Sequence, residues 1–193
     1  MQSAQLRAMV ASAQAGSAEA YRALLSHYGP RLYGYFFRAT GRHHDAEDLL
    51  GEMMLRLVSR LKSYDDRGRF EPWLFRIAAN MVRDRIRRRR SGPVSVSLAG
   101  DDDISGPLPA WLADEGPAVV ADIETAEAAA RLQAALDKLD EKTRQMVLLR
   151  HFAEMSFKEI ADVYDCPLGT VLARVHRGLR ALRRLMGERD ETH

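Results

Sequence analysis

"CPLGTVLARVHRGLRAL", residues 166–182, opens with a turn and continues as a helix studded with arginines. Val171, Val175, Leu179 and Leu182 recur at helical spacing, so one buried face is expected from them. Thr170, Arg177, Arg180 and Arg184 fall on the opposite side, with Arg174 at its edge. Just upstream, Ser156 and Glu159 have the spacing of a capping box ahead of the short apolar run "IADVY", which Asp165-Cys166-Pro167 ends. Ala161 is small enough to let two helices cross closely, and Ile160 and Val171 are placed to close their core. A short capped helix, a tight turn and a longer arginine-faced helix make a helix-turn-helix, whose second helix can lie in the major groove of DNA. A plain helical hairpin with a solvated face is the alternative. It does not explain five arginines and no acid between Leu168 and Met186.

Charge follows the same logic elsewhere in the 193 residues. The formal net charge is only +2, yet residues 83–90 hold six arginines against one aspartate, and residues 91–130 hold eight acids and no lysine or arginine. Two basic patches around an acidic middle are the electrostatic footprint of a polyanion partner. One cysteine, Cys166, excludes an internal disulfide and fits a reducing compartment. No apolar run approaches the roughly 20 residues that span a bilayer, and the N-terminal stretch lacks a signal-peptide core. The expectation is a cytoplasmic protein without membrane insertion.

Four of the seven prolines lie between Pro93 and Pro117, among Gly, Ser and Asp. That composition predicts a flexible acidic linker over residues 91–121, with Trp111 and Leu112 as its apolar exceptions. On both sides the pattern is helical. The expected fold is all-α: one helical domain over residues 1–90 and a second over residues 122–193. In the first, Gly16-Ser17 ends one helix and caps the next, which Gly29-Pro30 is expected to interrupt. Gly41 ends that pattern, and "DAEDLLGEMMLRLVSRLKSY" begins with acids, as a helix N-terminus favours. Asp65 to Phe70 reads as a loop, and Pro72 suits the first turn of a helix running to about Arg90.

That last helix, within "PWLFRIAANMVRDRIRRRR", turns Leu74, Ile77, Ala78, Met81 and Ile86 to a core. Arg76, Asn80, Arg83, Arg87 and Arg90 recur at steps of four and three on another face, a stripe that can follow a phosphate backbone. The preceding segment interleaves Tyr64, Arg67, Arg69, Phe70 and Trp73, and rings alternating with guanidinium groups suit unstacked bases. Taken singly, Trp73 and Phe75 read better as core residues. No catalytic constellation is visible. His43 and Glu47 stand one helical turn apart, a spacing a metal can use, but an acidic helix start explains them equally well. Cys166 has no second thiol or evident base nearby, and His151 and His176 sit singly on helices. The expectation is therefore no enzyme, no cofactor and no metal.

"DAEDLLGEMMLRLVSRL", "GRFEPWLFRIAANMVRDRIRRRR" and "SFKEIADVYDCPLGTVLARVHRGLRALR" together resemble the bacterial sigma-70 family, most closely its small two-domain extracytoplasmic function (ECF) group. The resemblance implies a region 2 domain, a region 4 domain and a role in promoter recognition and DNA melting, with core RNA polymerase (β′ clamp and β subunits) and promoter DNA as partners. It implies that the helix from Asp45 to Leu57 meets the β′ clamp through Asp48 and Glu52, with Asp45 and Arg56 beside them. Gly51 and Met54 depart from the residues usual there. By the same resemblance the segment from Tyr64 to Phe70 takes a flipped base of the −10 element, and Asn80 and Asp84 belong to the helix that reads and melts it. Thr170, Arg174, His176 and Arg177, with Arg180, match −35 contacts, while Leu172 and Ala173 depart from the pattern. It further implies control by an anti-sigma factor, to which self-inhibition by the acidic linker, anchored by Trp111, is the internal alternative. A sigma-like adaptor that only sequesters an inhibitor would lack the two sets of arginines. An ordinary helix-turn-helix regulator would not explain "GRFEPWLFRIAANMVRD".

Overall fold

Local signals set most of the helix boundaries. The computed structural model describes residues 3–65, 68–91 and 123–187; Arg67, Trp111 and the linker beyond Ser91 lie outside them. Among the described residues there are eight helices and no strand: α1 (Ser3–Gln14), α2 (Ala18–Thr40), α3 (His43–Leu61), α4 (Phe70–Ser91), α5 (Ile123–Asp137), α6 (Glu141–Phe152), α7 (Phe157–Tyr164) and α8 (Leu168–Met186). Ser17 caps α2 by accepting from the Ala20 amide at 3.2 Å, and Gly41 ends it in the left-handed region at φ 72°, where a side chain would be strained. Ser156 and Glu159 form both arms of the expected capping box on α7. Two compact units divide the chain: one holds α1 to α4, the other α5 to α8.

In the first unit α2 is the central helix, packed by α1, α3 and α4. The expected break at Gly29-Pro30 does not occur, and α2 runs on through Pro30 for 23 residues. A proline inside a helix costs about 3 kcal/mol. Leu24 and Tyr28 before it, and Leu32, Tyr35 and Phe36 after it, are all 0–1 % exposed. Each such side chain contributes roughly 1.5–3 kcal/mol by burial, so the core on both sides of Pro30 outweighs the lost helix hydrogen bond. Leu49, Leu50, Met53, Leu57 and Leu61 of α3, with Leu74, Phe75, Ala78 and Met81 of α4, complete the same core. Ile86 is only half-buried.

In the second unit α8 packs against α5, α6 and α7. Val171, Val175 and Leu182 form the expected inward face, with Ile160 and Ala161 of α7 also buried. Leu179 is only half-buried; Gly178 is the further buried position. Its missing side chain lets α8 lie close on α6, for a Cβ there would stand 2.7 Å from Thr143 Cγ2 and 2.8 Å from Val147 Cγ2. Both are side-chain methyls of buried residues with little room to retreat. Alanine gains up to about 1 kcal/mol in helix propensity over glycine, but overpacking a tight core typically costs about 1–3 kcal/mol. Gly178→Ala is therefore expected to destabilise the second unit by about 1–2 kcal/mol net, read as a lower urea midpoint for the transition that includes α8.

Candidate nucleic-acid and partner interface

Three surfaces gather the candidate residues. The first is α3. Asp48 and Glu52 have side chains 43 % and 42 % exposed, on the outward side of the helix. Asp45 does not join them. It is only 8 % exposed and is held by Arg85 Nη1 at 2.9 Å and by Arg89 Nη1 at 3.5 Å, because its position in the first turn faces α4 rather than solvent. Arg56 lies 3.6 Å from Glu52 on the same helix. Beside the acids runs an apolar strip that the sequence reading missed: Leu55 is 75 % and Val58 48 % exposed, and Gly51 has open space above it. The signal was present in the helical spacing. Leu49, Leu50, Met53 and Leu57 already make a complete core face, so Leu55 and Val58 had to lie outside it.

The second surface is α4 with the segment before it. Arg76, Asn80, Arg83 and Arg87 are all exposed and share the predicted stripe. Arg83 Nη1 lies 3.4 Å from Asn80 Oδ1, and Asp84 pairs with Arg87 at 2.9 Å along the helix. The basic run 83–90 is not one patch. At about 100° per residue Arg85 points roughly opposite Arg76, and it is Arg85 and Arg89 that turn back onto α3. Burial alone would loosen the proton on Arg85, but its hydrogen bond to the Asp48 carboxylate and the charges of Asp45, Asp48 and Glu52 outweigh it and hold the proton more firmly than usual.

Phe70, expected as an exposed ring, is buried at 2 %. It sits among Tyr28 at 5.5 Å, Tyr64 at 5.6 Å and Trp73 at 5.5 Å, so it supports a cluster rather than offering a face. Tyr64 and Trp73 are half-buried and meet in a tilted pair with ring centroids 4.5 Å apart, and Arg69 is exposed. Gln14 of α1 fixes the start of this segment, its amide donating to the Leu61 carbonyl at 3.0 Å and to that of Tyr64 at 2.6 Å. His43 is occupied as well: its Nδ1 lies 2.7 Å from the Tyr33 hydroxyl, and its ring stacks on Phe37 at 4.2 Å.

The third surface is the outer side of α8. Thr170, His176, Arg177 and Arg180 are exposed, and His176 stacks against Phe157 at 6.5 Å. Arg177, Arg180 and Arg184 line one cleft with Lys138. Arg174 lines it too but is committed inward, bonded to Asp140 Oδ1 at 2.9 Å and to Thr143 Oγ1 at 3.2 Å. Asp140 is also the N-cap of α6, accepting from the Thr143 amide at 3.1 Å. A helix-turn-helix unit with an exposed basic second helix thus stands in the same chain as a helical unit carrying an acidic, apolar-edged α3 and a basic α4.

Both units match known families. Residues 24–92 match Sigma-70 region 2, and residues 129–182 match Sigma-70, region 4. RNA polymerase sigma factor CarQ of Myxococcus xanthus is 31 % identical over 173 residues, covering 90 % of this chain and 92 % of that one. The chain belongs to the sigma-70 family, in its ECF group. ECF RNA polymerase sigma factor SigW of Bacillus subtilis (strain 168) is 29 % identical over 170 residues, covering 88 % of this chain and 90 % of that one. Among solved structures, the sigma factor RpoE in complex with the anti-sigma factor NepR from Bartonella quintana has the same fold, with a TM-score of 0.62 at 23 % identity, covering 86 % and 96 % of the two chains. This sigma factor, like its family, works with core RNA polymerase on promoter DNA.

The Asp140 node of this ECF factor carries a pH signature. Burial raises the Asp140 carboxyl, but hydrogen bonds from Thr143 and the Arg174 guanidinium outweigh it and hold the group below its ordinary 3.8. A lowered folded value contributes stability that is fully present above 3.8 and is lost as pH falls from there through the lowered value. Asparagine caps helices about as well as aspartate but carries no charge. Asp140→Asn is expected to flatten the acid dependence of the second unit's stability as pH falls below 3.8, measured by urea melts from neutral pH down through that range.

Proposed function

We propose that each exposed surface has one task in initiation. The face of α3 with Asp48, Glu52, Leu55 and Val58 docks on the core polymerase clamp. The stripe Arg76, Asn80, Arg83 and Arg87, with Arg69, Tyr64 and Trp73, engages the −10 element, Asp84 positioning Arg87. Thr170, His176, Arg177 and Arg180 meet the −35 element, and Arg174 orients α8 from beneath. The observation that carries this assignment is the split of α4, with one side given to α3 and the core and the other exposed and mainly basic. The task is binding and strand opening rather than covalent chemistry, and its place is the cytoplasm, where core polymerase works. RpoE is bound to an anti-sigma factor; a comparable inhibitor here competes for the apolar and acidic face of α3.

Run-off transcription with added core polymerase tests the whole assignment, since the wild-type factor should start transcripts and core enzyme alone should not. Glu52→Arg is expected to weaken core binding by reversing charge at the docking face, and unchanged affinity in a fully helical variant would remove α3 from the interface. Arg177→Ala should cost about 1–3 kcal/mol in −35 discrimination where the contact is bidentate. Asn80→Ala should leave duplex binding nearly intact and reduce permanganate reactivity of the −10 region; normal melting would exclude Asn80 from that step.

A further inference from the structure

The acids assigned to docking already have a cation. Asp45, Asp48 and Glu52 stand at steps of three and four on α3, in one row beside α4. Arg85 reaches all three, with Nη1 2.9 Å from Asp45 and 3.2 Å from Asp48 and Nη2 3.6 Å from Glu52. Arg56 and Arg89 add contacts at 3.6 and 3.5 Å to Glu52 and Asp45, and His44 lies 3.7 Å from Asp48. Three carboxylates face three guanidinium groups, so the row presents little net charge to a distant partner. The Arg85 side chain is only 20 % exposed, whereas Asp48 and Glu52 keep nearly half their surface open. Arg85 therefore occupies the carboxylates from the inner side while their outer side stays reachable.

We infer that Arg85 is a specificity-determining residue for docking on α3, an internal competitor that a basic partner must share or displace before it gains the charges of Asp48 and Glu52. The inference rests on α3 being the polymerase-docking face. It follows from charge and geometry together. Long-range attraction scales with the net charge of a patch, and a planar guanidinium that binds two or more carboxylates in fixed geometry is not easily moved by a single exposed lysine. A partner with several closely spaced arginines or lysines is favoured over one with an isolated charge, which suppresses adventitious docking of basic proteins.

Removing this competitor should strengthen docking. Arg85→Gln in the full chain is expected to raise affinity for core polymerase several-fold at low salt, mainly through a faster association rate, with the gain fading at high salt. Arg89 still faces Asp45 in that variant, so the buried carboxylate retains a partner. Arg85→Met, which keeps the apolar stem packed, answers the same question if Arg85→Gln loses helical signal in circular dichroism. In an Asp48→Asn/Glu52→Gln background the Arg85→Gln gain should vanish. A folded Arg85 variant that binds no faster than wild type at low salt, while Glu52→Arg does weaken binding, overturns the inference alone. If Glu52→Arg also has no effect, the docking assignment of α3 falls first and the role of Arg85 with it.

Discussion

The ion pair between Arg85 and Asp45, 2.9 Å long with side chains 20 % and 11 % exposed, joins the two helices on which the first unit's surfaces are built. A largely buried pair of this kind is weak evidence for added stability, because desolvation offsets much of the attraction. Its effect is orientation. A guanidinium that satisfies Asp45 from α4 holds one rotation of α4 relative to α3, and every residue of α4 then has its face decided. Leu74, Phe75, Ala78 and Met81 turn inward with it. Arg76, Asn80, Arg83 and Arg87 turn outward. The apolar core would tolerate some rotation of α4, whereas a buried carboxylate without its cation would not be tolerated.

The second unit solves the same problem with a different group. Asp140 caps α6 through the Thr143 amide and holds Arg174 of α8, while Gly178 allows α8 to come within contact of Thr143 and Val147. Position and charge are thus tied at the same point. An arginine that a helical wheel places at the edge of the basic face becomes the strut for that face, and the guanidinium groups of Arg177, Arg180, Arg183 and Arg184 are left outward. In the first unit Arg85 and Arg89 are spent on the buried Asp45, in the second Arg174 on the exposed helix cap Asp140, and other arginines of each basic run stay exposed.

Features governed by neighbours in sequence were legible before the fold was known. The Ser156–Glu159 capping box, the Ser17 cap, the left-handed Gly41 and the turn at Asp165 are each decided within four or five residues, and each stands where the pattern put it. The region 2 and region 4 motifs were legible for the same reason. What was not legible depends on the partner across the core. Pro30 reads as a break until the aromatic burial on both sides of it is counted. Phe70 reads as a base platform until Tyr28 and Tyr64 close over it. Asp45, one turn before two exposed acids, reads as the third member of a docking row until α4 delivers Arg85.

Charge runs are the sharpest instance, because composition counts charges while a helix sorts them by direction. Residues 83–90 carry six arginines, yet those whose side chains are described divide between the ion-pair face and the open face according to helical phase. The same sorting explains why the row of Asp45, Asp48 and Glu52 on α3 can hold three acids and still present little net charge. The number of cations near a surface therefore does not set what the surface attracts. What decides it is the face on which they stand: on α4 Arg85 and Arg89 meet Asp45 beside α3, while Arg76, Arg83 and Arg87 share the outward stripe with Asp84 as its acid.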